Sequence, residues 1–252
     1  MKIGIDVGST GIKIVFVSSD RIIWKNVVPT KPGQSAMVDE LIQEGMDAGS
    51  VSKTDIEKIC VTGYGRNLIS SGNHVVDEIW ANAAGIHRLT SGRARTLINV
   101  GGQDVKIIKL SESGQVIDFR MNDKCAAGTG RFFEIAANIL DTPLEDFHAS
   151  DAVSDKAVSI NSTCAVFAES EIVSLLAKGV NRYSIIKGIN QAVARRIANL
   201  AGNGILEDDV YVDGGPAKNL GLVECLADQL LCDIKVVDNP QFTVAYGSLY
   251  VD

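Results

Sequence analysis

Two glycine turns of one design constrain this chain more than any other feature: Asp6-Val7-Gly8-Ser9-Thr10 and Asn99-Val100-Gly101-Gly102-Gln103-Asp104 each close one apolar strand and open another. Aligning Gly8 with Gly101 also aligns Val7 with Val100, Lys13 with Lys106, Ile14 with Ile107 and Val15 with Ile108. A strand-turn-strand hairpin repeated in this way points to a duplicated α/β architecture. A glycine turn lets backbone N–H groups approach phosphate oxygens with no Cβ in the way, and a carboxylate beside it can hold Mg²⁺ through water. The pair therefore reads as two jaws around a phosphate chain, with ATP the expected ligand.

The rest of the chain fits a duplication. β-branched runs predict strands at 2–7, 12–18 and 21–28. A helix at 34–48 follows, with Met37, Leu41, Ile42 and Met46 on one face, then a strand at 57–62 and a helix at 77–90. The pattern restarts with strands at 95–100, 104–110 and 115–121 and a helix from about 125. Extra helices are predicted at 130–140, 165–178 and 183–202, then a strand at 209–213, a helix at 216–231, a strand at 234–237 and a last helix at 242–251. The expected domains are 1–92, completed by a C-terminal helix at 240–252, and 93–239, with a nucleotide cleft between them.

A third glycine feature, Asp213-Gly214-Gly215-Pro216-Ala217-Lys218-Asn219, leads from a buried strand into a helix. Gly214 and Gly215 would let a base or ribose lie against the backbone, Pro216 suits a first helical turn, and Asn219 would meet one edge of the base. Lys13 reads either as a phosphate contact or as a strand lysine facing solvent. Gly63-Tyr64-Gly65-Arg66 reads as a strand-end turn, with a partner or cleft contact as the alternative.

Two of the five cysteines share a context. Cys125, after Asn122-Asp123-Lys124, and Cys164, after Asn161-Ser162-Thr163, each follow a cap-competent triplet and precede an apolar helical stretch. Helix N-termini favour the thiolate, which is the form that binds iron. Two thiolates fall short of the four a cubane cluster takes, and a twofold dimer would supply them. Cys60 sits within a core strand, and Cys225 and Cys232 are explained by packing, since they lack the close pairs of zinc motifs.

The three glycine turns together resemble the phosphate 1, phosphate 2 and adenosine motifs of the actin, Hsp70 and sugar-kinase superfamily, over nearly the whole chain. That resemblance implies two ribonuclease H-like (actin-like ATPase) domains. It implies Asp6 and Asp104 as catalytic, Mg²⁺-facing carboxylates, Asp104 the better placed to orient water. Gly8, Ser9, Thr10, Gly101, Gly102 and Gln103 would cradle phosphates. With Cys125-Ala126-Ala127-Gly128-Thr129-Gly130 and Cys164 added, the chain resembles the activator ATPases of 2-hydroxyacyl-CoA dehydratases, in the family that includes the ATPase subunits of benzoyl-CoA reductase. This implies a homodimer holding one 4Fe-4S cluster through Cys125 and Cys164 of each subunit. It also implies ATP-driven transfer of single low-potential electrons to an iron-sulfur dehydratase or a double-cubane cluster protein, with ferredoxin or flavodoxin as donor. Gly128 and Gly130 would touch nucleotide or, alternatively, ease helix packing.

Composition narrows the classes. A net charge of −7 with pI near 5.0 leaves no basic stripe for nucleic acid. No apolar run approaches the ~18 residues of a membrane span, and Met1 leads straight into a strand rather than a signal peptide, so a cytoplasmic chain is expected. A small-molecule kinase is the main competitor, but it leaves both cysteine-led helices unexplained. A nucleotide-gated scaffold without turnover is the non-enzymatic alternative.

Overall fold

The structure, a computed structural model, describes residues 1–122, 129–149, 156–161 and 165–251. Cys125, Gly128 and Cys164 lie outside the described residues. By its contacts the chain divides into unit 1, comprising Met1–Ala94, Leu110–Ile117 and Gln241–Asp252, and unit 2, comprising Arg95–Lys109 and Asp118–Pro240.

Unit 1 is built on a five-stranded sheet of order β3-β2-β1-β4-β5. Its strands are β1 (Lys2–Val7), β2 (Gly11–Ser18), β3 (Arg21–Pro29), β4 (Lys58–Thr62) and β5 (His74–Val75). β1 pairs antiparallel with β2 and parallel with β4. The alternation of side chains across a strand divides the sheet into two faces. Ile3, Ile5 and Val7 of β1, with Ile12, Ile14 and Phe16 of β2, pack against Val38, Leu41, Ile42 and Met46 of α1 (Gln34–Gly49). The other face carries Val15, Val17 and Cys60, covered by Ala81 of α2 (Glu78–Leu89) and by Phe242, Val244, Ala245 and Leu249 of the C-terminal segment. Asp77 caps α2 by accepting from the Ile79 N–H at 2.9 Å.

Unit 2 repeats the plan with β6 (Thr96–Val100), β7 (Val105–Leu110), β8 (Val116–Met121), β9 (Val210–Asp213) and β10 (Ile234–Val236), in the order β10-β9-β6-β7-β8. Matched strand for strand, this is the order of the first sheet, and both sheets are mixed. One face is buried beneath helices α3 (Gly130–Leu140), α4 (Ala165–Ala177), α5 (Arg182–Ala201) and α6 (Leu220–Leu230). There Ile98, Val100, Ile107 and Val212 meet Phe132, Phe133, Ile189, Val193 and Leu222. The α/β fold expected from the two hairpins is therefore observed.

Two helices differ from the sequence expectation by more than a residue or two. The helix expected over 216–231 begins only at Leu220, after a 3₁₀ turn at Gly215–Lys218, because Asn219 caps it with its side chain. The last helix is a short α7 (Thr243–Gly247) flanked by 3₁₀ turns at Pro240–Phe242 and Ser248–Tyr250. Among the described residues, no helix is long and apolar enough to cross a membrane.

Candidate nucleotide site

Both hairpin turns close alike. Val7 pairs with Ile12 and Val100 with Val105, leaving residues 8–11 and 101–104 to make the turns. The Gly8 N–H donates to the Gly11 carbonyl at 3.1 Å, and the Gly101 N–H to the Asp104 carbonyl at 2.9 Å. The structural counterpart of Asp104 is thus Gly11, whereas Asp6 corresponds to Asn99.

In unit 1 the turn is braced by Thr30, whose hydroxyl donates to the Gly8 carbonyl at 2.8 Å and whose N–H donates to that of Thr10 at 3.0 Å. Lys13 Nζ donates to Asp6 Oδ2 at 3.0 Å, both side chains being largely buried. The other oxygen, Asp6 Oδ1, is buried with no hydrogen-bond partner among the described residues. It lies 2.4 Å from the point where a side chain on Gly63 would begin, and Gly63 has φ +89°. In unit 2, Gly214 has φ +94°, and a side chain there would begin 2.1 Å from the Val100 carbonyl oxygen. In each unit, then, the turn after the parallel strand rests against the end of the central strand at a point only glycine can occupy.

The second turn carries Asp104, whose Oδ1 accepts from Lys106 Nζ at 2.9 Å. Its carbonyls hold the start of α3. The Gly130 N–H donates to the Gly101 carbonyl at 2.8 Å, and the Arg131 N–H to that of Gly102 at 2.9 Å. Thr129 occupies the N-cap position, yet its hydroxyl donates to the Gly102 carbonyl at 2.9 Å rather than back into the helix.

These contacts re-sort the sequence expectations. Gly8, Ser9, Thr10, Gly101 and Gly102 stand half-buried and Gln103 exposed on the two turns, with Lys13, Asp6 and Asp104 beside them. Gly130 is different. Its N–H is taken by Gly101, and a side chain there would begin 3.0 Å from the Gly101 carbonyl oxygen, which favours the packing alternative. Asn219, expected at the edge of a base, is fully buried. Its Oδ1 accepts from the Leu222 N–H at 3.3 Å and its Nδ2 donates to Asn190 Oδ1 at 2.8 Å, so it caps α6 and ties it to α5. Gly214 donates its N–H to the Pro240 carbonyl, and Gly214 and Gly215 both stand half-buried on that turn. Asn99, Lys106, Thr129 and Asp213 escaped the sequence reading, although the alignment of Lys106 with Lys13 was a visible signal.

Of the cysteines within the described residues, Cys60 lies in the core of unit 1, and burial pushes its thiol pKa up. Cys225 and Cys232 pack against the core of unit 2. Among the described residues, no group of three or more His, Cys, Asp or Glu is arranged to hold a metal.

Residues 3–250 match the BadF/BadG/BcrA/BcrD ATPase family. The chain belongs to this family. Within it, the chain is 42% identical to the activator of lactoyl-CoA dehydratase of Anaerotignum propionicum, covering 98% of this chain and 95% of that one. It is 39% identical to the (R)-2-hydroxyglutaryl-CoA dehydratase activating ATPase of Acidaminococcus fermentans, covering 98% and 94%. Among solved structures it resembles the activator of the 2-hydroxyisocaproyl-CoA dehydratase from Clostridium difficile with bound ADPNP. There the TM-score is 0.92 at 35% identity, covering 99% of this chain and 93% of that one. The BadF/BadG/BcrA/BcrD assignment agrees with the two duplicated α/β units described above.

Proposed function

We propose that the chain is an ATP-hydrolysing activator that delivers single low-potential electrons to a partner iron-sulfur enzyme, a 2-hydroxyacyl-CoA dehydratase. Family relatives bearing dehydratase-activator names at about 40% identity support the partner class. The ADPNP-bound neighbour supports the nucleotide. ATP is taken through Gly8, Ser9 and Thr10 on one turn, with Lys13 on the strand beside it, and Gly101, Gly102 and Gln103 on the other, with Mg²⁺ beside Asp6 and Asp104. The buried Asp6 Oδ1, without a hydrogen-bond partner among the described residues, fits a carboxylate awaiting a cation or a metal-bound water.

Cys125 and Cys164 would hold a 4Fe-4S cluster shared by two copies of the chain. The donor set fits: of five cysteines, Cys60, Cys225 and Cys232 are spent on packing, leaving two per chain and four per dimer. When bound, the cluster supplies a one-electron carrier of low potential.

One observation carries the link between nucleotide and electron. Thr129, Gly130 and Arg131 bind the carbonyls of Gly101 and Gly102, and the same residues open α3 directly after the segment containing Cys125. A nucleotide that binds one arrangement of the second turn better than another therefore shifts the start of α3 with it, and only that differential affinity does work. Asp104 orients water at the turn, and release of phosphate returns the turn to its resting arrangement.

Anaerobic purification with iron and sulfide analysis tests the assignment. One cubane per dimer is expected, lost in Cys125→Ser and in Cys164→Ser with nucleotide binding retained. A cluster that survives both substitutions refutes the ligand assignment.

A further inference from the structure

The strand registers set three polar side chains in a row across each sheet, on the face away from α1 in unit 1 and away from α3–α6 in unit 2. In unit 1, Thr62 of β4, Asp6 of β1 and Lys13 of β2 are neighbours; in unit 2, Asp213 of β9, Asn99 of β6 and Lys106 of β7 take the same places. The rows are duplicates in position but not in charge. In the first, the central residue is the carboxylate, and Lys13 binds it directly. In the second, the centre is Asn99, whose Nδ2 donates to Asp213 Oδ1 at 2.7 Å. Lys106 reaches instead to the turn, where its Nζ lies 2.9 Å from Asp104 Oδ1.

The row in unit 2 is buried and only the turn is open. Asp213 is 0% exposed, Lys106 3% and Asn99 4%, whereas the Asp104 side chain is 30% exposed. A buried ammonium that lets go of its anion is left uncompensated at a large cost, because little water reaches it. It therefore holds Asp104 more firmly than a surface lysine could, and beside it on the central strand Asn99 is pinned to Asp213. Only Oδ1 of Asp104 is engaged by Lys106, which leaves Oδ2 outside that ion pair.

We propose that Lys106, backed by the Asp213–Asn99 pair, is a positioning residue for ATP hydrolysis that fixes the Asp104 carboxylate at the second turn. This rests on the ATPase function proposed above. Lys106 touches no substrate; it acts through Asp104, whose other oxygen must hold one orientation to align water or a metal-bound water.

The test compares ATP turnover with affinity for ADPNP, by calorimetry, in the wild-type protein and in Lys106→Met, Lys106→Arg, Asp104→Asn and the Lys106→Met/Asp104→Asn double variant. Loss of positioning costs turnover roughly 100-fold in Lys106→Met, with ADPNP affinity changed less than about 3-fold. Lys106→Arg restores turnover in part. The double variant is no worse than Asp104→Asn alone, because the two residues act as a unit. Wild-type turnover in Lys106→Met overturns the proposal, as does a loss of ADPNP affinity in proportion to turnover, which marks a structural role. Should Lys106→Met fail to fold, Lys106→Arg decides alone: turnover reduced with affinity kept supports positioning, and both falling together overturns it. A wild-type protein that hydrolyses no ATP overturns the ATPase function itself, and the proposal with it.

Discussion

Removing Lys13 should harm unit 1 more than removing its partner Asp6 does. The two lie 3.0 Å apart, with side-chain exposures of 17% and 7%. At an effective dielectric of about 20, unit charges at that separation attract by roughly 5 kcal/mol, most of it offset by the water both groups have lost. Lys13→Met strands a buried carboxylate whose Oδ1 already lacks a partner among the described residues, at a cost of roughly 2–3 kcal/mol after allowing for the exposed edge of the lysine. Asp6→Asn leaves an ammonium that can turn toward water, and costs about 1 kcal/mol. The double variant should be more stable than Lys13→Met alone, because the stranded charge is gone. Urea unfolding followed by tryptophan fluorescence measures this directly, since Trp24 and Trp80 are the only two tryptophans and both lie in unit 1. Equal costs for the two single variants, or strict additivity in the double, would refute the reasoning.

Further outcomes are expected. Gly214→Ala meets the Val100 carbonyl at 2.1 Å and should abolish stable folding of unit 2, whereas Gly33→Ala, at φ +84° with nothing within 4 Å, should cost only the backbone strain of about 1–2 kcal/mol. Circular dichroism on purified proteins separates the two, and equal stability would exclude the close contact as the cause. Thr129→Val removes one of two donors to the Gly102 carbonyl, at about 1 kcal/mol. It should leave ATP turnover largely intact while uncoupling it from activation of the partner, with Thr129→Ser behaving as wild type; a coupled Thr129→Val protein contradicts this. Cys60, its thiol pKa raised by burial, should resist iodoacetamide at neutral pH in the native protein and react in urea, as read by peptide mass spectrometry.

What could be read from the sequence was local. The two hairpins declare themselves through glycines flanked by β-branched runs, and Gly8 and Gly101 fall on equivalent turns because four residues join the closing pairs Val7–Ile12 and Val100–Val105 alike. What could not be read depends on parallel pairing between distant segments. Asp213 follows three apolar residues and looks like the end of a strand; only the β6–β9 register brings it beside Asn99. Asn219 stands after a glycine pair and invites a ligand role, but its partner is Asn190, on a helix whose neighbour cannot be inferred from spacing. Gly130 sits in a glycine-rich stretch, and nothing in that stretch reveals that its N–H is already claimed by the carbonyl of Gly101.

On the function proposed above, nucleotide hydrolysis gates electron delivery. The most direct measurement follows reduction of a purified 2-hydroxyacyl-CoA dehydratase by the dithionite-reduced, anaerobically prepared protein, with MgATP, MgADP, MgADPNP or no nucleotide. Reduction sustained only with MgATP, in step with phosphate release, is the predicted result. Reduction at the same rate without nucleotide, or phosphate release with no electron delivered, would contradict it.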